Sequence, residues 1–129
     1  VSALVVDTSS WIAYLAGDGS TLVDEALEEG RLHLPMVVAA ELLSGRMTPA
    51  ERRDLEDLLL DLPALGGEIG HWFRVGELRA SLRDRGLSVS TADAHVAQCA
   101  IDLGAELLTE DRVFERIAGV APLRLARQG

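Results

Sequence analysis

The stretch Ala3-Leu4-Val5-Val6-Asp7-Thr8-Ser9-Ser10 decides the fold of this chain. Four apolar residues, two of them β-branched, run directly into an acid and then into polar turn formers. That pattern reads as a short buried strand of a parallel sheet, with Asp7 at its carboxyl end. Open α/β sheets bind ligands in the crevice outside those ends. A carboxylate there is either a cap for the following helix or a site residue, and Asp7 taken alone fits both.

Composition bounds the answer. The 129 residues are 48% hydrophobic, enough for one domain spanning 1–129 with a sizeable core and no room for a second. No apolar run approaches the roughly 20 residues of a membrane span, and no basic, apolar leader is present. The expectation is a soluble, cytoplasmic protein with no membrane partner. The single cysteine, Cys99, leaves no internal disulfide and no thiolate metal site, and reads as a small core residue. A net charge of −9 argues against nucleic acid unless the excess acid gathers in a pocket that holds cations, and it suits a basic protein partner. All twelve basic residues are arginines. That excludes a P-loop lysine, a Schiff base and a receiver-domain lysine.

Along the chain, helices alternate with short apolar strands. Thr8–Ala16 reads as a helix opening at Ser9 or Ser10 and stopped by Gly17-Asp18-Gly19, with Trp11, Ile12 and Leu15 inward. Thr21 to Asp24 has capping-box spacing and starts a helix closed by Gly30. Leu32 to Leu34 form a second strand, ended by Pro35, in which His33 reads as structural. Thr48-Pro49-Ala50-Glu51 opens a helix reaching about Asp61, with Leu55, Leu58, Leu59 and Leu62 inward and Leu60 outward. Glu68–Arg85 is the longest helix, with Ile69, Trp72, Phe73, Val75, Leu78 and Leu82 as its core side. Its arginines read as a solvated face and His71 as structural. Glu106–Thr109 is a further strand, Arg112–Ala118 a last helix, and Pro122–Ala126 an edge strand.

Two helices carry an acid on an apolar face. In Met36–Ser44, Glu41 sits among Val37, Val38, Leu42 and Gly45. A buried-side acid needs a charged partner, so Glu41 pairs with an arginine or ligates a metal. In the helix capped by Ser90 and running to Gly104, Asp93 heads the apolar face, either complementing the helix dipole or facing the crevice. His95 is expected to turn away from that face into solvent. Asp111 follows the Glu106–Thr109 strand as Asp7 follows the first. The crevice above a parallel sheet is where all four acids could meet. Clustered carboxylates repel unless cations lie among them, and an all-oxygen donor set selects hard ions, Mg²⁺ or Mn²⁺. The main use of such a site is cleavage or transfer of phosphate esters.

Val-Val-Asp-Thr-Ser-Ser (5–10), Ala-Glu-Leu-Leu-Ser-Gly (40–45), Ser-Thr-Ala-Asp-Ala-His-Val-Ala (90–97) and Leu-Leu-Thr-Glu-Asp-Arg-Val-Phe (107–114) together resemble the PIN-domain nucleases. In length and motif order the chain is similar to the VapC toxins of toxin–antitoxin pairs. The resemblance implies a three-layer α/β/α sandwich around a parallel sheet of four or five strands. It implies that Asp7, Glu41, Asp93 and Asp111 bind Mg²⁺ or Mn²⁺ and carry catalysis, with Ser9 and Thr91 in support. It further implies an endoribonuclease acting on RNA such as tRNA or ribosomal RNA. A cognate antitoxin would silence it, DNA would be reached only through that antitoxin, and the assembly would be a homodimer or a toxin–antitoxin hetero-oligomer. The chain departs from the family at Val113, where a second acid is often found.

The mechanism implied is attack of metal-activated water on an RNA phosphodiester, with Arg46 or Arg79 steering the backbone. Two other classes remain: a phosphotransfer module, disfavoured by the absent lysine and by Ser9, and a non-catalytic PIN-like domain that binds RNA or protein.

Overall fold

The first strand, β1 (Leu4–Val6), forms where the apolar run predicts, and all three of its residues are buried. The computed structural model describes residues 2–18 and 20–127. The first helix ends at Leu15, before the expected stop Gly17-Asp18-Gly19, of which Gly19 lies outside the described residues. Around β1 stand β2 (Leu32–Pro35), β3 (Ala64–Leu65), β4 (Glu106–Leu108) and β5 (Arg124–Leu125). Their order is β3-β2-β1-β4-β5 and every pairing is parallel, with Leu4 set against both Leu32 and Glu106. The expected three-layer α/β/α sandwich is found, with five strands.

Seven helices connect them among the described residues: α1 (Thr8–Leu15), α2 (Thr21–Glu28), α3 (Met36–Leu43), α4 (Pro49–Leu60), α5 (Ile69–Asp84), α6 (Thr91–Leu103) and α7 (Val113–Ala118). The chain walks outward from β1 to β3 through α1–α4, then returns across the sheet to β4 and β5 through α5–α7. Right-handed crossovers place the two sets on opposite faces. The reversal makes a switch point between the carboxyl ends of β1 and β4. Beneath it lies the core, where Val5, Val6, Trp11, Leu107, Phe114 and Ile117 are fully buried.

Local signals account for most helix ends. Thr48 Oγ1 accepts from Glu51 N (3.1 Å) while Glu51 Oε1 accepts from Thr48 N (2.8 Å), the reciprocal box that the spacing predicts. Gly104 ends α6 in the left-handed region, with φ +65°. Two starts differ from expectation. The cap of α2 is Ser20, whose hydroxyl accepts from Val23 N, and Thr21 is already helical. The first helix opens at Thr8 rather than at Ser9 or Ser10, with Asp7 at the cap position.

Three expectations about burial are corrected. In α1, Trp11 is buried but Ile12 is 58% and Leu15 47% exposed. The inward stripe of this short helix is Trp11 with Tyr14 one turn on, and Ile12 lies about 100° around the helix from Trp11. In α5 the stripe is His71, Val75, Leu78 and Leu82, at 3.6-residue spacing, so Ile69 and Phe73 face solvent. His95, expected outside, is fully buried. The cause is the position of α6, which packs on α3, α5, α7 and three strands and leaves residues 94–100 no solvent face.

Asp102 ties α6 to α5. It accepts from Arg74 Nη2 (2.9 Å) and Gln98 Nε2 (2.7 Å) and lies 3.4 Å from His71 Nδ1. Burial alone would raise this carboxyl, but the bonds from Arg74, Gln98 and His71 outweigh it and hold the group below its ordinary value.

Two predictions follow from these positions. Ser20→Ala should cost about 1 kcal/mol in urea unfolding and Thr21→Ala only a few tenths, because the cap is Ser20. For Asp102, a depressed carboxyl adds stability that is complete above the ordinary aspartate value and is lost as pH falls below about 4. Asp102→Asn should therefore lower stability at neutral pH and flatten the acid limb of a stability–pH curve.

Candidate active site

Asp7 leaves β1 at the switch point and is 7% exposed. Its backbone N–H donates to Leu108 O (2.9 Å), which locks the ends of β1 and β4 together. Its carboxylate is held from both strands: Thr109 Oγ1 donates to Asp7 Oδ2 at 2.9 Å and Ser9 Oγ reaches the same oxygen at 3.4 Å. Ser9 Oγ also accepts from Glu110 N (3.2 Å). The α1 cap role is declined, since Asp7 makes no side-chain cap bond.

The other three acids approach from three further elements. Glu41, on α3, is exposed and accepts from Thr8 Oγ1 at 2.7 Å. Its partner is thus a hydroxyl next to Asp7, not an arginine. Asp93 lies in the first turn of α6, its backbone N–H bound to the Ser90 hydroxyl at 3.1 Å. Asp111 follows β4. Its N–H donates to Thr109 Oγ1 (3.0 Å), and its Oδ1 accepts from Val113 N (3.0 Å). Val113, the departure from the family pattern, therefore contributes its backbone to orienting Asp111.

The four acids act on one another's charge. Burial raises the Asp7 carboxyl, the Thr109 and Thr8 hydrogen bonds oppose it, and the charges of Asp93 and Glu41 push it further up. Asp93 is raised by burial and by the charges of Asp111 and Glu41, against a lowering bond from Ser90. Among the described residues no ion pair involves any of these acids. A cluster of oxygen donors that repel one another and lack a cationic side chain fits a hard divalent cation.

Thr91 is exposed at the start of α6, and among the described residues no hydrogen bond joins its hydroxyl to the acids. Thr8 and Thr109 were missed by sequence reasoning. Their signal is a hydroxyl at the boundary where an apolar strand gives way to an acid. Beside Asp111 a cavity of about 570 Å³ is lined by Thr109, Glu110, Asp111, Arg112, Glu115 and Arg127, so two arginines stand among three acids in the groove next to the end of β4. Arg79, by contrast, is engaged with Val89 O (2.9 Å).

The PIN domain family model matches residues 4–120. A VapC ribonuclease of Mycobacterium bovis is 31% identical over 130 residues, covering 95% of this chain and 97% of that protein. Ribonuclease VapC11 of Mycobacterium tuberculosis matches with the same identity and coverage. Among solved structures, a DNA-bound VapBC from Salmonella typhimurium superposes with a TM-score of 0.80 at 23% identity, over 98% of each chain. With the family model matched over residues 4–120 and relatives 31% identical across 95% of its length, the chain belongs to the PIN-domain family.

Proposed function

We propose that this chain is an endoribonuclease of the VapC type that depends on Mg²⁺ or Mn²⁺, the toxin half of a toxin–antitoxin pair. What carries the reading is the mutual repulsion of Asp7, Glu41, Asp93 and Asp111 with, among the described residues, no arginine or histidine paired to them. The names of the curated relatives support ribonuclease activity. A VapBC neighbour described as a toxin–antitoxin system supports the antitoxin partner, and one bound to DNA supports contact with DNA through the complex. A homodimer or toxin–antitoxin hetero-oligomer working in the cytoplasm completes the proposal.

The reaction is hydrolysis of an RNA phosphodiester: a water oxygen bonds to phosphorus, the bond to the 3′ oxygen breaks, and 5′-phosphate and 3′-hydroxyl ends result. Asp7, Glu41, Asp93 and Asp111 would hold the divalent ion, which would supply charge neutralisation at the phosphate and a water of lowered pKa. The chain's own residues do the rest. Thr109 fixes Asp7 and the Asp111 backbone through one hydroxyl, so the acids after β1 and β4 keep a set spacing. Thr8 fixes Glu41 against the same strand end. Arg112 and Arg127, in the adjoining groove, offer phosphate contacts to the flanking backbone. The cluster's own charge repels RNA until a cation is present, which couples substrate binding to metal binding.

End-labelled RNA incubated with the antitoxin-free protein in Mg²⁺, Mn²⁺ and EDTA tests this. Asp7→Asn and Asp93→Asn should each abolish cleavage while leaving the fold intact, because charge is removed and shape kept. In EDTA, Asp7→Asn should unfold at the same temperature as wild type or higher, since the lost charge was buried and repelled. Cleavage retained by both variants would sink the quartet, and RNA bound equally well in EDTA and never cut would favour a binding domain. Thr109→Val should weaken Mn²⁺ affinity about 10- to 100-fold in a direct titration, because it frees the carboxylate from its orienting hydroxyl.

A further inference from the structure

The interior holds a polar cluster that the acidic crevice does not use: His71 on α5 with His95 and Cys99 on α6, all buried. His71 Nε2 lies 2.7 Å from His95 Nδ1. At one end of this pair His71 Nδ1 is 3.4 Å from Asp102 Oδ2, and at the other His95 Nε2 is 3.4 Å from Val37 N.

The two ends fix where the protons sit. The Val37 N–H can only donate, so His95 Nε2 accepts and the ring proton is on Nδ1. That proton is donated to His71 Nε2, which places the His71 proton on Nδ1, facing the Asp102 carboxylate. Every ring nitrogen then has a partner with both rings neutral. A soft metal on His71, His95 and Cys99 fits less well. Occupying His95 Nδ1 would move the proton to Nε2, directly against the Val37 N–H, and burial holds the Cys99 thiol protonated, pushed up to about 12.

We propose that His95 is a positioning residue for the acidic site: it caps α3 from α6 and so fastens the helix carrying Glu41 to the helix carrying Asp93. The role in the site rests on the nuclease reading above. The first N–H groups of any helix lack intrahelical partners, and α3 starts after Pro35, which makes no side-chain cap bond. His95 Nε2 supplies an acceptor for one of them. Val37 is one turn before Glu41, and His95 is two residues after Asp93, so a single contact sets two acids relative to each other.

The ring is held in the required orientation. Trp72 stacks on it with centroids 4.6 Å apart and planes within 4°. The Trp72 indole in turn donates to Gly66 O (2.8 Å). Gly66, at φ +107°, approaches so closely that a Cβ there would lie 2.6 Å from His95 Cε1. Glycine is required at that position on both counts.

Two substitutions separate positioning from mere core stability. His95→Gln keeps an acceptor where Nε2 stood and loses the link to His71. His95→Asn keeps a polar group where Nδ1 stood and leaves the Val37 N–H unpaired. We expect nitrogen NMR of the wild-type rings to show both His71 and His95 protonated on Nδ1. The Val37 amide should exchange about tenfold faster in His95→Asn than in His95→Gln. In RNA cleavage, His95→Asn should lose about tenfold in kcat with KM changed less than about twofold, and His95→Gln should recover most of that loss. A proton on His95 Nε2, zinc that co-purifies and is released by Cys99→Ser, or equal kcat in the two folded variants would each overturn the proposal. Should wild type cut no RNA, the nuclease reading falls, while the ring protons and Val37 exchange still decide whether His95 caps α3.

Discussion

The hydrogen bond from Thr109 Oγ1 to Asp7 Oδ2 joins the ends of the two strands that flank the switch point, and the site is built outward from it. A carboxylate that is 7% exposed is costly to bury unless its oxygens are satisfied, and an unmet charge there would be costlier still. The fold meets this with two hydroxyls and with a backbone bond between Asp7 and Leu108 that keeps β1 and β4 in register at their ends. The same Thr109 hydroxyl then accepts from Asp111, so the second strand-end acid inherits the position of the first. What remains unmet is charge. Burial raises the Asp7 carboxyl and Asp93 and Glu41 push it further up, a residual repulsion of the kind the proposed cation site would relieve.

Much of this was legible in the sequence because the signals are local. Short apolar runs ending in acids marked β1 and β4 and placed Asp7 and Asp111 at their carboxyl ends. Glu41 and Asp93 stood out as charges on apolar helical faces. Capping chemistry fixed the starts of α4 and α6 to the residue. The failures have a common physical cause. Ile12, Leu15, Ile69 and Phe73 were placed inside because they are apolar, yet the inward stripe of each helix is set by what it packs against. The α5 stripe passes through His71, a polar residue at the right period, and bypasses Phe73. No periodicity within α6 could reveal that His95 would be buried, since residues 94–100 have no solvent face for reasons that lie in α3, α5, α7 and the sheet. The supporting hydroxyls of Thr8 and Thr109 were invisible for the same reason: their partners are 33 and 102 residues away.

The acidity of the chain, which at first argues against a nucleic-acid partner, can be weighed again with the side chains in place. Several arginines are committed to internal work: Arg31 to Glu29 and the Ser2 carbonyl, Arg52 to Glu56 and the Leu43 carbonyl, Arg74 to Asp102 and Glu68, Arg79 to Val89, and Arg124 to the Gly104 carbonyl. Guanidinium groups spent on loop and helix carbonyls stiffen the scaffold but are withdrawn from any general phosphate-binding surface. None meets the four acids. Attraction for RNA, on the proposed reading, must then be local and conditional, arising where a cation cancels the crevice and Arg112 and Arg127 line the adjoining groove. On that reading the chain would bind its substrate only when it is also loaded to cut it. A basic segment laid across the same acids would use that field too, and would occupy the crevice without being a substrate.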